Sequence, residues 1–137
     1  RISKPLLDRI DIFTETIILK YGEISNSDKG ENSYNVRKRI EKVHHIQKER
    51  YKNDGILFNS ELSAGMIKRY CVMDNEAKEY LENIFENMEF SARAYHKVLK
   101  TARTIADMDE SGEIKRKHIS EAVCYRTADK KYWGVTM

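Results

Sequence analysis

The sequence predicts an all-α protein, a small helical bundle that is preceded by a strand-like arm. Only one proline and six glycines occur in 137 residues, and such a scarcity of helix-breaking residues favours long uninterrupted helices. Apolar residues recur at the three- and four-residue spacing of helices through most of the chain, which places them on one helical face. Hydrophobic residues make up 40% of the chain, which is enough for a core and argues against wholesale disorder.

The strand-like arm covers residues 6–19. Ile10, Ile12, Thr14 and Thr16 alternate with other side chains there, and alternating β-branched residues are typical of a strand. No second strand pattern follows, and one strand cannot satisfy its own backbone groups. We therefore expect the rest of its sheet to lie upstream, which leaves the arm mobile or swapped onto a neighbour.

The predicted organisation has four parts, which are the arm at 1–20, a flexible linker at 21–32, a helical domain at 33–128 and a tail at 129–137. The linker is rich in Gly, Asn, Ser and Asp, and this composition is typical of loops. The chain starts at Arg1 rather than at a methionine, as expected of an excised fragment.

Four or five short helices make up the predicted domain, and the last of them spans about 115–126. Short polar side chains that cap helices stand where these helices begin. The expected N-cap residues are Ser33, Ser63, Asp74 and Ser91. The side chains expected to face the core are Val36, Ile40, Val43, Ile46 or Gln47, Ala77, Leu81, Ile84, Phe85, Met88, Tyr95, Val98, Leu99, Ala102, Ile105, Ala106, Ile119, Ala122, Val123 and Tyr125.

Bulk properties say little about partners. The net charge of +3 does not by itself establish a nucleic-acid or membrane partner. No apolar run in the sequence approaches the roughly 18 residues of a membrane span, and no signal peptide is present, so we expect a cytoplasmic protein without a membrane partner. Cys71 and Cys124 lie among apolar helical neighbours and are both expected to be small buried residues.

The chain lacks the motifs of a self-contained nucleotide-binding enzyme. Its glycines never have the Gly-x-x-x-x-Gly-Lys-Ser/Thr spacing that cradles a triphosphate. His44 and His45 are adjacent and point about 100° apart on a helix, which is poor geometry for a shared metal ion. No metal site is expected from these two residues or from His96 and His118.

Residues 107–114 are the nearest approach to a metal-binding motif. They read DMDESGEI, with oxygen ligands at the first, third and fifth positions, glycine at the sixth and an apolar residue at the eighth, as in a calcium-binding loop. His118 stands at the twelfth position, where such a loop needs a glutamate, and the basic residues 115–117 lie close by. An acidic turn between two helices is the expected structure, and calcium binding is the alternative.

Basic residues are concentrated at two places, and they leave two interpretations open. They are Arg37, Lys38, Arg39, Lys42, Lys115, Arg116 and Lys117. Contact with phosphate groups is physically reasonable for such side chains. However, Glu41, Glu49 and Glu121 intervene, so a mixed solvated face is the stronger expectation.

Several segments together resemble one protein family. Residues 5–12 read PLLDRIDI, residues 91–96 read SARAYH, residues 102–107 read ARTIAD and residues 119–126 read ISEAVCYR. In this order they resemble the C-terminal domain of magnesium-chelatase-like AAA+ ATPases, and most closely the bacterial ComM/YifB subfamily. The resemblance covers nearly the whole chain, and Lys4 departs from it where the subfamily usually has glycine.

The resemblance implies that the helical domain is the lid of an ATPase whose core lies upstream, with residues 1–20 as the last strand of that core. The parent protein would bind ATP and magnesium and form a ring, whereas the fragment alone would bind neither and would not hydrolyse ATP. Its implied partners are the upstream core, neighbouring subunits and DNA. Remodelling of DNA, as in branch migration, fits the subfamily better than metal insertion.

Three arginines take candidate roles from the resemblance. Arg9 matches an arginine finger, which reaches the γ-phosphate held by a neighbouring subunit and offsets the charge on the transferred group. Arg93 matches the second-sensor arginine and stands in the first turn of its helix, where an anion is favoured. Arg103 is the weaker alternative for nucleotide sensing, with a surface or packing role as its competing interpretation.

A second functional class also remains open. A stand-alone helical module that binds protein or nucleic acid would account for the helices and the basic residues. Such a module predicts salt-dependent DNA affinity for the isolated chain, whereas a lid predicts weak affinity or none.

Overall fold

The segments with helical apolar spacing are helices in the computed structural model of the chain. The structure describes residues 6, 9–16, 18, 30–88 and 90–133, with side chains through Arg126. The described residues form five α-helices and one short 3-10 helix. They are α1 (Ser33–Tyr51), the 3-10 helix (Asn59–Glu61), α2 (Ala64–Tyr70), α3 (Asn75–Met88), α4 (Ala92–Met108) and α5 (Arg116–Trp133). The predicted all-α fold is confirmed.

Helix α4 is the centre of the bundle, because it packs against α1, α2, the 3-10 helix and α5. Val98, Ala102 and Ala106 of α4 are fully buried, and their four-residue spacing places them along one face. Helix α5 contributes Ile119 and Ala122, which are also fully buried. These residues were predicted to face the core.

Polar side chains cap the helices, and three of the four predicted caps are confirmed. Ser63 and Ser91 accept hydrogen bonds from the first turns of α2 and α4, and Asp74 accepts one from the amide of Ala77 at 2.8 Å. The prediction for α1 is wrong by one residue, because Asn32 is the N-cap and Ser33 is the first helical residue. The Asn32 side chain accepts from the amide of Tyr34 at 2.8 Å.

Four further predictions about burial and length are corrected by the structure. Ile40 is 45% exposed, because the buried residues of α1 are Val43, Gln47 and Tyr51 in its second half and its first half extends away from the core. Cys124 is exposed, whereas Cys71 is buried as expected. Tyr125 is only half-buried. Helix α5 continues to Trp133, past the predicted end near residue 126.

The turn between α4 and α5 has the geometry that closes a helix with a left-handed residue. Glu110 has a φ of 53°, and the amides of Glu110 and Ser111 donate to the carbonyls of Asp107 and Ala106 at 3.1 and 2.8 Å. This pair of bonds satisfies the last carbonyls of α4. Ile114 then forms a single parallel β-bridge with Met73, which fastens the turn to the segment before α3.

No described residue of the arm belongs to a β-strand, as expected for a segment without a sheet partner. The expectation of a mobile or swapped arm is nevertheless wrong for residues 9–13, because their backbone is hydrogen-bonded to α4 and α5. The predictions for Lys4, for linker residues 21–29 and for tail residues 134–137 lie outside the described residues.

Candidate functional site

Arg93 stands at the start of α4, as the second residue of the helix. Ser91 caps this helix, and its hydroxyl oxygen accepts from the amide of Ala94 at 3.1 Å. The first amides of a helix and its dipole produce a positive end that favours an anion and disfavours a cation. Arg93 is exposed, and no described residue pairs with its guanidinium. The local structure therefore gives it no stabilising role in the folded chain.

Arg9 lies in the arm, and its backbone is held against α4. The Nζ of Lys97 donates to the carbonyl oxygen of Arg9 at 2.6 Å and also forms an ion pair with an Asp11 carboxylate oxygen at 2.7 Å. The Arg9 side chain itself is exposed, and it pairs with nothing in the described part of the chain. Its backbone is thus fixed while its guanidinium remains available.

Lys97 brings the two candidate arginines to the same side of the bundle. It follows Arg93 by four residues in α4, and residues with this spacing are neighbours on one helix face, with about 5–6 Å between their Cβ atoms. Because Lys97 contacts the backbone of Arg9, Arg9 and Arg93 flank one lysine. We take the first two turns of α4, together with arm residues 9–11, as the candidate site.

Arg103 lies on the same helix but is only 1% exposed, so the surface interpretation of this residue is excluded. Its Nε donates to Asp107 at 3.1 Å. Its two other nitrogens donate to the carbonyls of Gly112 and Ser111 at 2.9 and 2.5 Å. These bonds occupy its donors and attach the α4–α5 turn to α4.

Asp107 is the centre of a buried polar cluster that was not predicted from the sequence. Its fully buried carboxylate pairs with both Arg103 and Arg50, and it accepts from the amide groups of Asn59 at 2.9 Å and Gln47 at 3.3 Å. We call these five residues the Asp107 cluster. The only local signal was the four-residue spacing of Arg103 and Asp107, since the other three members come from α1 and the 3-10 helix.

The DMDESGEI segment holds its carboxylates apart rather than around one point. Asp107 faces the core, whereas Asp109 accepts hydrogen bonds from Lys117 and from His118. The hydrogen bonds from Lys117 and His118 and the charge of Lys117 lower the pKa of Asp109 from 3.8 to about 2. The geometry is that of an acidic turn in which Asp107, Asp109 and Glu110 pair with cations of the protein itself.

The basic residues of α1 and α5 largely have local partners. Arg39 pairs with Glu31, Lys42 pairs with Glu110 at 2.5 Å, and Lys38 lies 4.5 Å from the ring centroid of Tyr34. At the start of α5, Arg116 and Lys117 pair with acidic side chains. The mixed solvated face is the interpretation that these contacts support.

A groove of about 270 Å³ lies between α1 and α4. Apolar side chains of Ile40, Val43 and Met108 contribute to its lining. Two of its polar lining residues, Gln47 and Asn59, already donate to Asp107. Neither Arg9 nor Arg93 lines the groove, which is therefore separate from the candidate site.

The arginines fall into two groups according to the partners of their side chains. Nine arginines fall within the described residues, and six of them pair with other described groups. These six are Arg39, Arg50, Arg69, Arg103, Arg116 and Arg126. The side chains of the other three, Arg9, Arg37 and Arg93, are exposed and pair with no described residue. Two of the three arginines predicted to act on nucleotide are thus in the small group with unoccupied side chains.

Within the described ranges, no helix is long and apolar enough to cross a membrane. The same residues contain no group of three or more His, Cys, Asp or Glu side chains placed to hold a metal ion.

Comparison with known proteins agrees with the motifs of the sequence. The chain is 37% identical over 131 residues to the protein YifB of Salmonella typhimurium, an alignment that covers 95% of this chain and 25% of that protein. It is 38% identical over 127 residues to the competence protein ComM of Haemophilus influenzae, with 92% and 24% covered. The chain therefore spans about a quarter of the length of these curated relatives.

A family described as the C-terminal region of magnesium chelatase subunit ChlI matches residues 30–126, which include all of α1 to α4 and the described side chains of α5. This match covers well over half of the chain. Together with the similarity to ComM and YifB, it confirms the resemblance predicted from the sequence motifs. The chain belongs to the magnesium chelatase ChlI C-terminal family.

Proposed function

We propose that this chain is the lid of a ring-forming AAA+ ATPase, in which Arg93 senses the phosphates of bound ATP and Arg9 reaches the ATP of a neighbouring subunit. The observation that carries the proposal is the placement of both arginines. Their side chains are exposed and pair with no described residue, and the two arginines flank Lys97 on one side of the bundle. An exposed guanidinium without an internal partner is suited to a phosphate group from outside the chain.

The nucleotide and its magnesium ion belong to the parent protein in this proposal. The chain has no phosphate-binding loop, and its described residues offer no cluster of metal ligands. An upstream core would therefore hold ATP and magnesium, and this chain would add positive charge where negative charge develops on the transferred phosphoryl group. Arg103 has a structural role, because its donors are occupied within the fold.

The parent protein would use ATP to remodel DNA. This part of the proposal rests on what the resemblance of the sequence motifs to the ComM/YifB subfamily implies, and one similar protein is named a competence protein. Metal insertion by a chelatase-like motor is the competing role, since the family is named for magnesium chelatase. DNA binding by this chain alone is not proposed, because Arg39, Lys42 and Lys38 already have partners near α1. The isolated chain should show weak salt-dependent affinity for duplex DNA or none in a titration, and strong salt-dependent affinity would favour the stand-alone module.

The direct test of the sensor is ATP turnover by the full-length protein with Arg93→Ala. Loss of one group that stabilises transition-state charge lowers kcat by about 10²–10³-fold. Arg37→Ala is the matched control, because Arg37 is also exposed and pairs with no described residue but lies on α1. We expect Arg37→Ala to leave turnover unchanged. Equal turnover in the Arg93→Ala and wild-type proteins would refute the sensor assignment.

A further inference from the structure

The arm is fastened to the bundle at two successive carbonyl groups, and both donors are cations. Lys97 of α4 donates to the carbonyl of Arg9 at 2.6 Å, and Arg126 of α5 donates to the carbonyl of Ile10. Hydrogen bonds from charged donors are about twice as strong as those between neutral groups. Two such bonds at adjacent peptides fix both the position and the direction of the backbone at Arg9.

Arg126 has few partners besides the arm. It is only 4% exposed, and its Nε has no hydrogen-bond acceptor among the described residues. The arm supplies the carbonyl of Ile10 and also the ring of Phe13, whose centroid lies 5.5 Å from the guanidinium carbon. A buried charge is strongly unfavourable without partners, so removal of the arm would leave Arg126 poorly compensated.

Lys97 likewise directs its charge at the arm. Its side chain is 18% exposed, and both of its described polar contacts are with arm residues, the Arg9 carbonyl and the Asp11 carboxylate. The amide of Phe13 adds a third attachment, because it donates to the carbonyl of Tyr125 in α5 at 2.9 Å. Residues 9–13 are therefore attached to two helices at several points.

We propose that Lys97 and Arg126 are positioning residues that make Arg9 move with the helix that begins at Arg93. This inference rests on the proposed function, since it assumes that Arg9 acts on ATP. Lys97 joins the two arginines because it is one turn from Arg93 and contacts the backbone of Arg9. A shift of α4 in response to nucleotide at Arg93 would carry Arg9 with it, and so change the neighbouring active site.

The test is a double-mutant cycle on ATP turnover by the full-length protein, with Arg9→Ala, Lys97→Met and the double variant. Misplacement of a group by about 1 Å can lower a rate by about 10²-fold, so we expect Lys97→Met to lower kcat by about 10- to 100-fold. KM for ATP should stay unchanged, because the Lys97 ammonium group is directed at the arm and has no contact with ATP in this proposal. Lys97→Met should lower kcat no further when Arg9 is already alanine, because residues that act through one group are not additive.

Lys100→Met is the matched control. Lys100 is on the same helix, and its Nζ also donates to a backbone carbonyl, that of Ser60 at 2.8 Å, which lies in the 3-10 helix and not in the arm. The Lys100→Met substitution removes a lysine–carbonyl hydrogen bond, as Lys97→Met does. We therefore expect a small loss of stability similar to that of Lys97→Met, but an unchanged kcat. A fall in kcat with Lys100→Met equal to that with Lys97→Met would assign the effect to general destabilisation and overturn the proposal.

Hydrogen exchange of the Phe13 amide tests the attachment without any measurement of activity. We expect exchange at least tenfold faster in Lys97→Met than in the wild-type and Lys100→Met proteins, and an unchanged rate would overturn the attachment. In the kinetic cycle, a normal kcat in Lys97→Met, or a kcat loss that multiplies with that of Arg9→Ala, would overturn the positioning role alone. An unchanged kcat in Arg9→Ala would instead overturn the proposed finger, and with it the inference drawn from it.

Discussion

The two ends of helix α4 use arginine in opposite ways. Near the C-terminal end, Arg103 is 1% exposed and its donors face Asp107 and two carbonyls of the following turn. At the N-terminal end, Arg93 is exposed at the helix start, where its charge opposes the dipole. The same residue type therefore stabilises the fold at one end and is available for an external anion at the other.

The partners of an arginine side chain therefore distinguish a structural role from a functional role. Breaking a buried ion pair by removal of one partner costs about 3–5 kcal/mol, whereas an exposed charge away from special features contributes within about 0.5 kcal/mol. The Asp107 cluster should therefore control stability, and the candidate site should control activity. Substitutions at the two ends of α4 should change different measured quantities.

The largest expected effect is on stability, from Asp107→Ala. This change leaves Arg103 buried without its carboxylate, and it also removes the partner of Arg50, so the free energy of unfolding should fall by about 3–5 kcal/mol. Urea denaturation of the chain measures this loss of unfolding free energy. Arg93→Ala is the comparison at the other end of α4 and should change the unfolding free energy by no more than about 0.5 kcal/mol. Similar losses of unfolding free energy in the two variants would contradict the assignment of a structural role to one end of α4 and a functional role to the other.

A smaller effect is expected from Ser91→Ala, which removes the N-cap beneath Arg93. Loss of such a cap lowers the free energy of unfolding by about 1 kcal/mol. The substitution should also lower ATP turnover in the full-length protein, because Arg93 lies in the helical turn that Ser91 caps. Ser63→Ala removes the equivalent cap of α2 and is the control for turnover. Were the two variants to have the same turnover, the first turn of α4 would have no special part in activity.

The smallest effect concerns acid stability at the α4–α5 turn. The pKa of Asp109 is lowered from 3.8 to about 2 by the hydrogen bonds from Lys117 and His118 and by the charge of Lys117. A lowered carboxyl pKa stabilises the folded state above about pH 4, and this contribution is lost as the pH falls from about 4 to about 2. The difference in unfolding free energy between wild-type and Asp109→Asn proteins should narrow over that range. A difference independent of pH would show that the Asp109 contacts add no stability.

Helices and caps were predictable from the sequence because both depend on local spacing. The apolar positions Val98, Ala102 and Ala106 predicted the buried face of α4, and Ser91 predicted its start. The error at Asn32 has the same local origin, since an asparagine and a serine stand side by side and both are good caps. Local chemistry identifies a helix start to within one residue here.

The Asp107 cluster and the attachment of the arm were not predictable, because both join segments far apart in sequence. Asp107 contacts Arg50 across 57 positions, and Arg126 contacts Ile10 across 116 positions. The β-branched pattern of the arm predicted a strand, but contacts with α4 and α5 take the place of sheet pairing at residues 9–13. Tertiary partners of this kind override local preference.

The most direct test of the proposed function is a mixing experiment with two inactive forms of the full-length protein. One form carries Arg9→Ala, and the other has a defective phosphate-binding loop in its upstream core but an intact Arg9. If Arg9 acts on the ATP of a neighbouring subunit, mixed rings combine an intact loop with an intact arginine at some interfaces, and part of the ATPase activity returns. No recovery in rings shown to contain both forms would contradict this role of Arg9.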